Sequence, residues 1–144
     1  MKGDIALVVR RKIGASAEKL FEAWTEPRHL MAWWGPQPVT CSAAEVDLRV
    51  GGLYRITNLL PDGSTIAIHG EFRAIERPTK LVYTWRMDND ENEASLVTVR
   101  FEPHGDQTEV VIVHAQIPSH AARVSHEAGW TGCLHGLATY APRL

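Results

Sequence analysis

Leu81-Val82-Tyr83-Thr84-Trp85-Arg86 and Val97-Thr98-Val99-Arg100-Phe101 each place large apolar side chains at every second position. A period of two sends alternate side chains to opposite faces of a strand, so Leu81, Tyr83 and Trp85 share one inward face and Val97, Val99 and Phe101 another. The polar run Asp88 to Glu93 between them reads as a solvated loop. Further along, Pro103-His104-Gly105-Asp106 is a turn, after which Val110, Ile112 and His114 form an inward face opposite Glu109, Val111 and Val113. Pro118-Ser119 ends the strands. Trp130, Cys133, Leu134, Leu137 and Tyr140 then recur at spacings of three and four, the pattern of an amphipathic helix that Ser119 or Ser125 can cap.

Towards the N-terminus, Pro78 marks a turn, and Leu53 to Phe72, broken by Pro61-Asp62-Gly63-Ser64, reads as a hairpin within residues 53–73. On its second strand His69 alternates with Ile66, Ile68 and Phe72 and is expected outward, unless a bulge near Ala74-Ile75 turns it in. Gly51-Gly52 turns the chain, and before it Ala44, Val46 and Leu48 alternate with Glu45, Asp47 and Arg49 on a strand starting at Thr40. The first strand is Asp4 to Ile13, ending in the basic triplet Arg10-Arg11-Lys12, which suits a charged sheet edge. Ser16 caps a short helix with Leu20, Phe21 and Trp24 inward. Pro27 restarts a second, carrying Leu30, Trp33 and Trp34, which Gly35-Pro36 stops.

The order predicts an α+β fold: a curved antiparallel sheet of about seven strands around a long C-terminal helix, with two short helices after the first strand. One domain over residues 1–144 is expected, with a pocket where sheet, terminal helix and short helices fail to close.

Composition narrows the function. With 144 residues, 44% hydrophobic and 22% charged, and a net charge of -2, the chain suits an ordinary globular domain, and its balanced charge argues against nucleic-acid binding. The longest later apolar run, Val110 to Val113, is far short of the roughly 18 residues of a membrane span. Met1-Lys2-Gly3-Asp4 does not resemble an export signal. Cys41 and Cys133 form no C-x-x-C pair and read as buried hydrophobes of a reducing, cytoplasmic protein.

Seven histidines raise the question of a metal, but none forms an H-x-H or H-x-x-x-H pair. His126-Glu127 opens like a zinc-hydrolase helix whose second ligand position is held by Trp130 instead. No nucleotide fingerprint, P-loop or nucleophile elbow is present, so no cofactor is implied. His114 is the exception among polar residues, because a buried imidazole must find partners. It reads either as a satisfied core histidine or as a polar handle in a pocket. The five tryptophans, with Tyr54, Phe72 and Tyr83, serve equally as core or as pocket wall.

Ile13-x-Ala15-Ser16-x-Glu18-x-Leu20-Phe21-x-Ala23-Trp24, Leu30-x-x-Trp33-Trp34-Gly35-Pro36, Asp47-Leu48-Arg49-Val50-Gly51-Gly52-x-Tyr54, Gly70-Glu71-Phe72, Pro78-x-x-Leu81-Val82-Tyr83-Thr84-Trp85 and Gly129-Trp130 together resemble the START-like SRPBCC superfamily. More narrowly, the chain is similar to short, single-domain bacterial members of the heat-shock-protein-90 ATPase activator homologue family. The resemblance covers essentially the whole chain. It implies a helix-grip fold with a hydrophobic cavity between sheet and C-terminal helix. The superfamily also holds lipid carriers, hormone receptors, polyketide cyclases and chaperone cofactors, so the scaffold alone does not select an activity. The eukaryotic activators carry an additional N-terminal domain with no counterpart in these 144 residues.

The leading expectation is a non-enzymatic carrier or sensor holding a small hydrophobic or aromatic ligand. Tyr54, Phe72, Trp85, Val99, Trp130 and Leu134 would form the wall, His114 would orient a polar group, and Trp34 would stand near the mouth. The alternatives are a chaperone-associated interaction protein, and a polyketide cyclase-like enzyme or hydrolase with His114 as general base. The sequence is silent on whether the chain forms a homodimer.

Overall fold

A computed structural model describes residues 3–90 and 94–144. Glu91, Asn92 and Glu93 of the expected polar loop, and Met1-Lys2 at the N-terminus, lie outside the described residues. Nine-residue β1 (Ile5–Ile13) leads into α1 (Ala17–Thr25) and α2 (Pro27–Trp33). Then come β2 (Thr40–Val46), β3 (Leu53–Leu59), β4 (Thr65–Glu76), β5 (Lys80–Met87), β6 (Ser95–His104), β7 (Gln107–Ile117) and α3 (His120–Tyr140). The seven strands form one antiparallel sheet in the order β1-β7-β6-β5-β4-β3-β2, curved around α3 in a helix-grip fold. β1 is therefore an edge, and Arg10, Arg11 and Lys12 are exposed along it.

Local chemistry sets the helix boundaries. Ser16 is extended and its hydroxyl accepts from the Lys19 amide at 3.2 Å, capping α1. Pro27, with no amide hydrogen to lose, occupies the first turn of α2. Ser119 caps α3 by accepting from the Ala122 amide at 3.1 Å. Helix α3 lies against α2 through glycine: a Cβ on Gly132 would stand 2.5 Å from Pro36 Cβ, and one on Gly136 2.8 Å from the Trp33 carbonyl oxygen. These two residues set how closely α3 approaches the short helices.

The expected inward faces of β5, β6 and β7 are buried: Leu81, Val97, Val99, Val110, Ile112 and His114 each expose 0% of their surface. His69 points outward as expected and lies 3.2 Å from Asp88, while the bulge in β4 falls between Phe72 and Ala74. Leu48 departs from expectation. β2 ends at Val46, and Asp47 to Gly52 form a turn closed by Asp47 N–H to the Leu53 carbonyl and Gly52 N–H to the Arg49 carbonyl. Reciprocal bonds between the Gly51–Gly52 backbone and Phe72 then hold this turn against β4. Leu48 is left at the surface rather than on the inward face with Ala44 and Val46.

Candidate functional site

The interior holds all five tryptophans in one cluster. Trp24 of α1 lies 5.0 Å from Trp33 of α2 and stacks at 6.2 Å and 19° on Trp130 of α3. Trp34, just past α2, meets Trp130 edge-on at 5.6 Å, and Trp85 of β5 lies 5.0 Å from Trp130. The Trp24 indole donates to the Tyr83 hydroxyl at 3.1 Å, and the Trp33 indole to the Ala23 carbonyl at 2.8 Å. The helices thus insert an aromatic wedge between α3 and the sheet, and the wedge divides the space that the sheet encloses.

On one side of it opens a cleft of about 540 Å³ between α3, the segment after α2 and strands β3 to β5. Trp34, Trp85 and Trp130 form its aromatic wall, with Ile66, Ile68 and Met87 along the sheet. Asn58, Ser125, His126 and Gln37 are polar contributors, and none of the described residues lining it is Asp, Glu, Lys or Arg. Its volume is within the range of small-molecule sites, and so is its chemistry, mostly apolar with a few polar groups. On the other side of the wedge, Tyr54 and Phe72 pack with Trp24, Leu30 and Tyr83 around a gap of only about 20 Å³. Val99 and Leu134 are fully buried core. Of the eight residues singled out in the sequence, the structure therefore brings Trp34, Trp85 and Trp130 to the cleft and sets Tyr54, Phe72, Val99 and Leu134 elsewhere.

His114, the eighth, stands behind the cleft wall with 0% exposure. Its Nδ1 lies 3.0 Å from the Trp130 indole nitrogen, and its Nε2 lies 2.6 Å from Ser95 Oγ. An indole N–H only donates, so Nδ1 must be the acceptor and the neutral ring carries its hydrogen on Nε2. Nε2–H then donates to Ser95 Oγ, whose own hydrogen goes to the Trp85 carbonyl at 3.3 Å. Each hydrogen has one destination, and the chain links α3, β7, β6 and β5. Burial, with His126 stacked on the ring at 4.7 Å, lowers the His114 pKa to about 3. Because Nε2–H points at Ser95, the pair is not arranged as base and nucleophile, and both ring nitrogens are used within the protein.

Sequence reasoning missed Asn58 and His126, although signals for both were present. Asn58 follows Tyr54 and Ile56 at period two on the inward face of β3, and His126 precedes Trp130 by one helical turn. His126 lies edge-on to Trp85 at 6.0 Å, and burial lowers its pKa, with Asp90 acting in the opposite direction. Among the described residues no three His, Cys, Asp or Glu side chains gather into a group able to hold a metal. On the outer face of the sheet a second depression, about 490 Å³, is bordered by Glu45, Arg55, His69, Glu71 and Arg86. Arg55 and His69 there pair with Asp88, which leaves that surface polar and internally compensated.

The family described as Activator of Hsp90 ATPase homolog 1-like protein matches residues 14–141. The chain belongs to this family. Among solved structures, a Chromobacterium violaceum protein aligns with a TM-score of 0.87 at 25% identity, over 95% of this chain and 96% of its own. A Rhodobacter sphaeroides protein gives 0.87 at 25%, over 96% and 93%. An AHSA1 protein of Silicibacter pomeroyi gives 0.83 at 24%, over 94% and 96%, a likeness of fold. No curated protein matches. No helix among the described residues is long and apolar enough to cross a membrane.

Proposed function

We propose that this member of the Activator of Hsp90 ATPase homolog 1-like family holds a small hydrophobic or aromatic molecule in the cleft between α3 and β3–β5, without transforming it. The observation that carries the reading is the cleft wall: three indoles around about 540 Å³, with no ionic side chain among the described lining residues. A site of that composition gains affinity from apolar burial and ring contact. His114, the residue weighed as a general base for a hydrolase or cyclase, has both ring nitrogens committed to Ser95 and Trp130.

Gly129 gives a direct test. It lines the cleft, and a Cβ built on it meets nothing within 4 Å, so Gly129→Leu projects a side chain into the cleft while favouring the helix. Native mass spectrometry of freshly purified protein, compared with the same sample denatured, is expected to show a small mass travelling with the folded chain and absent from Gly129→Leu. A mass retained equally by the variant would place the ligand elsewhere, and failure to bind either cellular molecules or added naphthalene would remove the carrier reading.

A second reading is suggested by the family's description and uses the surface. Leu48 and Val50 of the β2–β3 turn and Leu53 at the start of β3 are exposed apolar side chains, 36%, 63% and 67%, of the kind a protein partner such as a chaperone covers. Val50→Asp with Leu53→Asp would abolish capture of a heat-shock-protein-90 chaperone under that reading. Absence of any capture by the unaltered protein at low salt would reject it.

A further inference from the structure

Two cleft-lining residues each carry a polar atom that is closed to solvent and has no hydrogen-bond partner: the Trp85 indole nitrogen and Asn58 Oδ1. Both residues line the cleft, and both are more than nine-tenths buried, with 8% and 5% exposure. The other buried polar side chains nearby are matched. The Trp24, Trp33 and Trp130 indoles donate to Tyr83, Ala23 and His114, and Ser95 and His114 satisfy each other. A fold that satisfies three of its indoles and a buried histidine, yet leaves a polar atom unpaired in each of two residues that line one cleft, has tolerated a cost that a bound molecule can remove.

The chemistry of the two atoms is opposite. An indole N–H can only donate, and it asks for an acceptor, whereas a carbonyl oxygen can only accept, and it asks for a donor. Charge is disfavoured, because the described lining residues include no carboxylate, ammonium or guanidinium to balance an ion withdrawn from water. Resting on the carrier reading above, we infer that Asn58 and Trp85 are the specificity pair of this cleft and select a neutral aromatic molecule bearing both a hydrogen-bond donor and an acceptor. The aromatic body lies against Trp34 and Trp130, and the Asn58 and Trp85 side chains, whose unmet atoms are closed in the free protein, turn to bond the polar group.

Three probes of common shape separate the contributions: naphthalene, 2-naphthamide and 2-naphthoate, each titrated calorimetrically into the whole protein near neutral pH. 2-Naphthamide offers a carbonyl to Trp85 and an N–H to Asn58. Naphthalene offers neither, and 2-naphthoate is an anion without a donor. The amide is expected to bind about tenfold more tightly than either of the others, the equivalent of one to two net hydrogen bonds. Asn58→Leu and, separately, Trp85→Phe are expected to bring the ratio of amide to naphthalene affinity down towards one, whatever either substitution does to naphthalene itself. Two substitutions on different strands keep the test readable if one fails to fold. Equal binding of all three probes, tighter binding of the carboxylate, or an amide preference that survives both substitutions would overturn the inference and leave the carrier reading standing. Binding of none would overturn the inference and, where no cellular molecule travels with the folded chain either, the carrier reading with it.

Discussion

Replacing His114 with leucine should change how the protein's stability responds to acid. The unfolded chain takes up the imidazole proton near its ordinary value of 6.5, whereas the folded chain does so only near 3. Between those values the unfolded state binds more protons, so the stability associated with a neutral, buried His114 is complete above pH 6.5 and is lost as the pH falls towards 3. The slope approaches that of one proton per molecule below pH 6, and from pH 6.5 to 4 the loss from this residue is about 3 kcal/mol. The geometry gives the same direction, since a proton on Nδ1 would face the Trp130 N–H. Near neutral pH, His114→Leu removes both ring bonds and leaves the Trp130 N–H buried without an acceptor, a cost of roughly 2–4 kcal/mol. Urea denaturation of both proteins at half-unit steps from pH 7 to 4 should therefore give curves well apart at pH 7 and converging near pH 4. His126 and the surface carboxylates remain in both proteins, so their contributions largely cancel in the difference. Parallel curves across that range would refute the assignment of His114 as a neutral link between Trp130 and Ser95.

Gly129→Ala and Gly132→Ala, on the same helix, should move stability in opposite directions. The first is open and gains up to about 1 kcal/mol of helix propensity, while the second meets Pro36 and loses about 1–3 kcal/mol, both read from thermal or urea unfolding. Without ligand, Asn58→Leu should raise the melting temperature, because it exchanges an unpaired buried amide oxygen for an apolar group; a fall of several degrees would show that Oδ1 has a partner. Tyr140→Phe should cost about 1 kcal/mol by removing the 2.6 Å bond between the Tyr140 hydroxyl and His29 Nδ1 that ties the end of α3 to α2, and unchanged stability would place that pair among the neutral contacts.

Alternation and helical spacing made the architecture readable because each strand has one wet face and α3 one buried stripe. The inward set Leu81, Val97, Val99, Val110, Ile112 and His114 follows from period two alone. Leu48 was misplaced for a local reason: a turn carried by Gly51-Gly52 begins four residues before the glycines, and alternation cannot report where ladder bonds stop. The candidate site was harder to read. Period two states that Tyr54, Phe72 and Trp85 face inward, but not that a wedge of tryptophans from α1 and α2 separates the first two from the third. Nor does it state which inward polar groups satisfy one another. His114 looked like a handle because its partners Ser95 and Trp130 lie 19 and 16 residues away in sequence, while Asn58, the side chain with an unmet oxygen, sat unremarked in the same kind of pattern.

The tryptophan cluster also gives the protein an optical character. With neighbouring ring centres 5.0–6.3 Å apart from Trp24 through to Trp85, the five indoles are close enough to exchange excitation, so emission is a property of the group rather than of single residues. Three of them border the cleft, and light absorbed by Trp33 or Trp24 can be lost wherever a guest touches Trp34, Trp85 or Trp130. An occupant able to accept that excitation, seated against one ring, would dim the whole ensemble, and the chain would signal its own occupancy without a label.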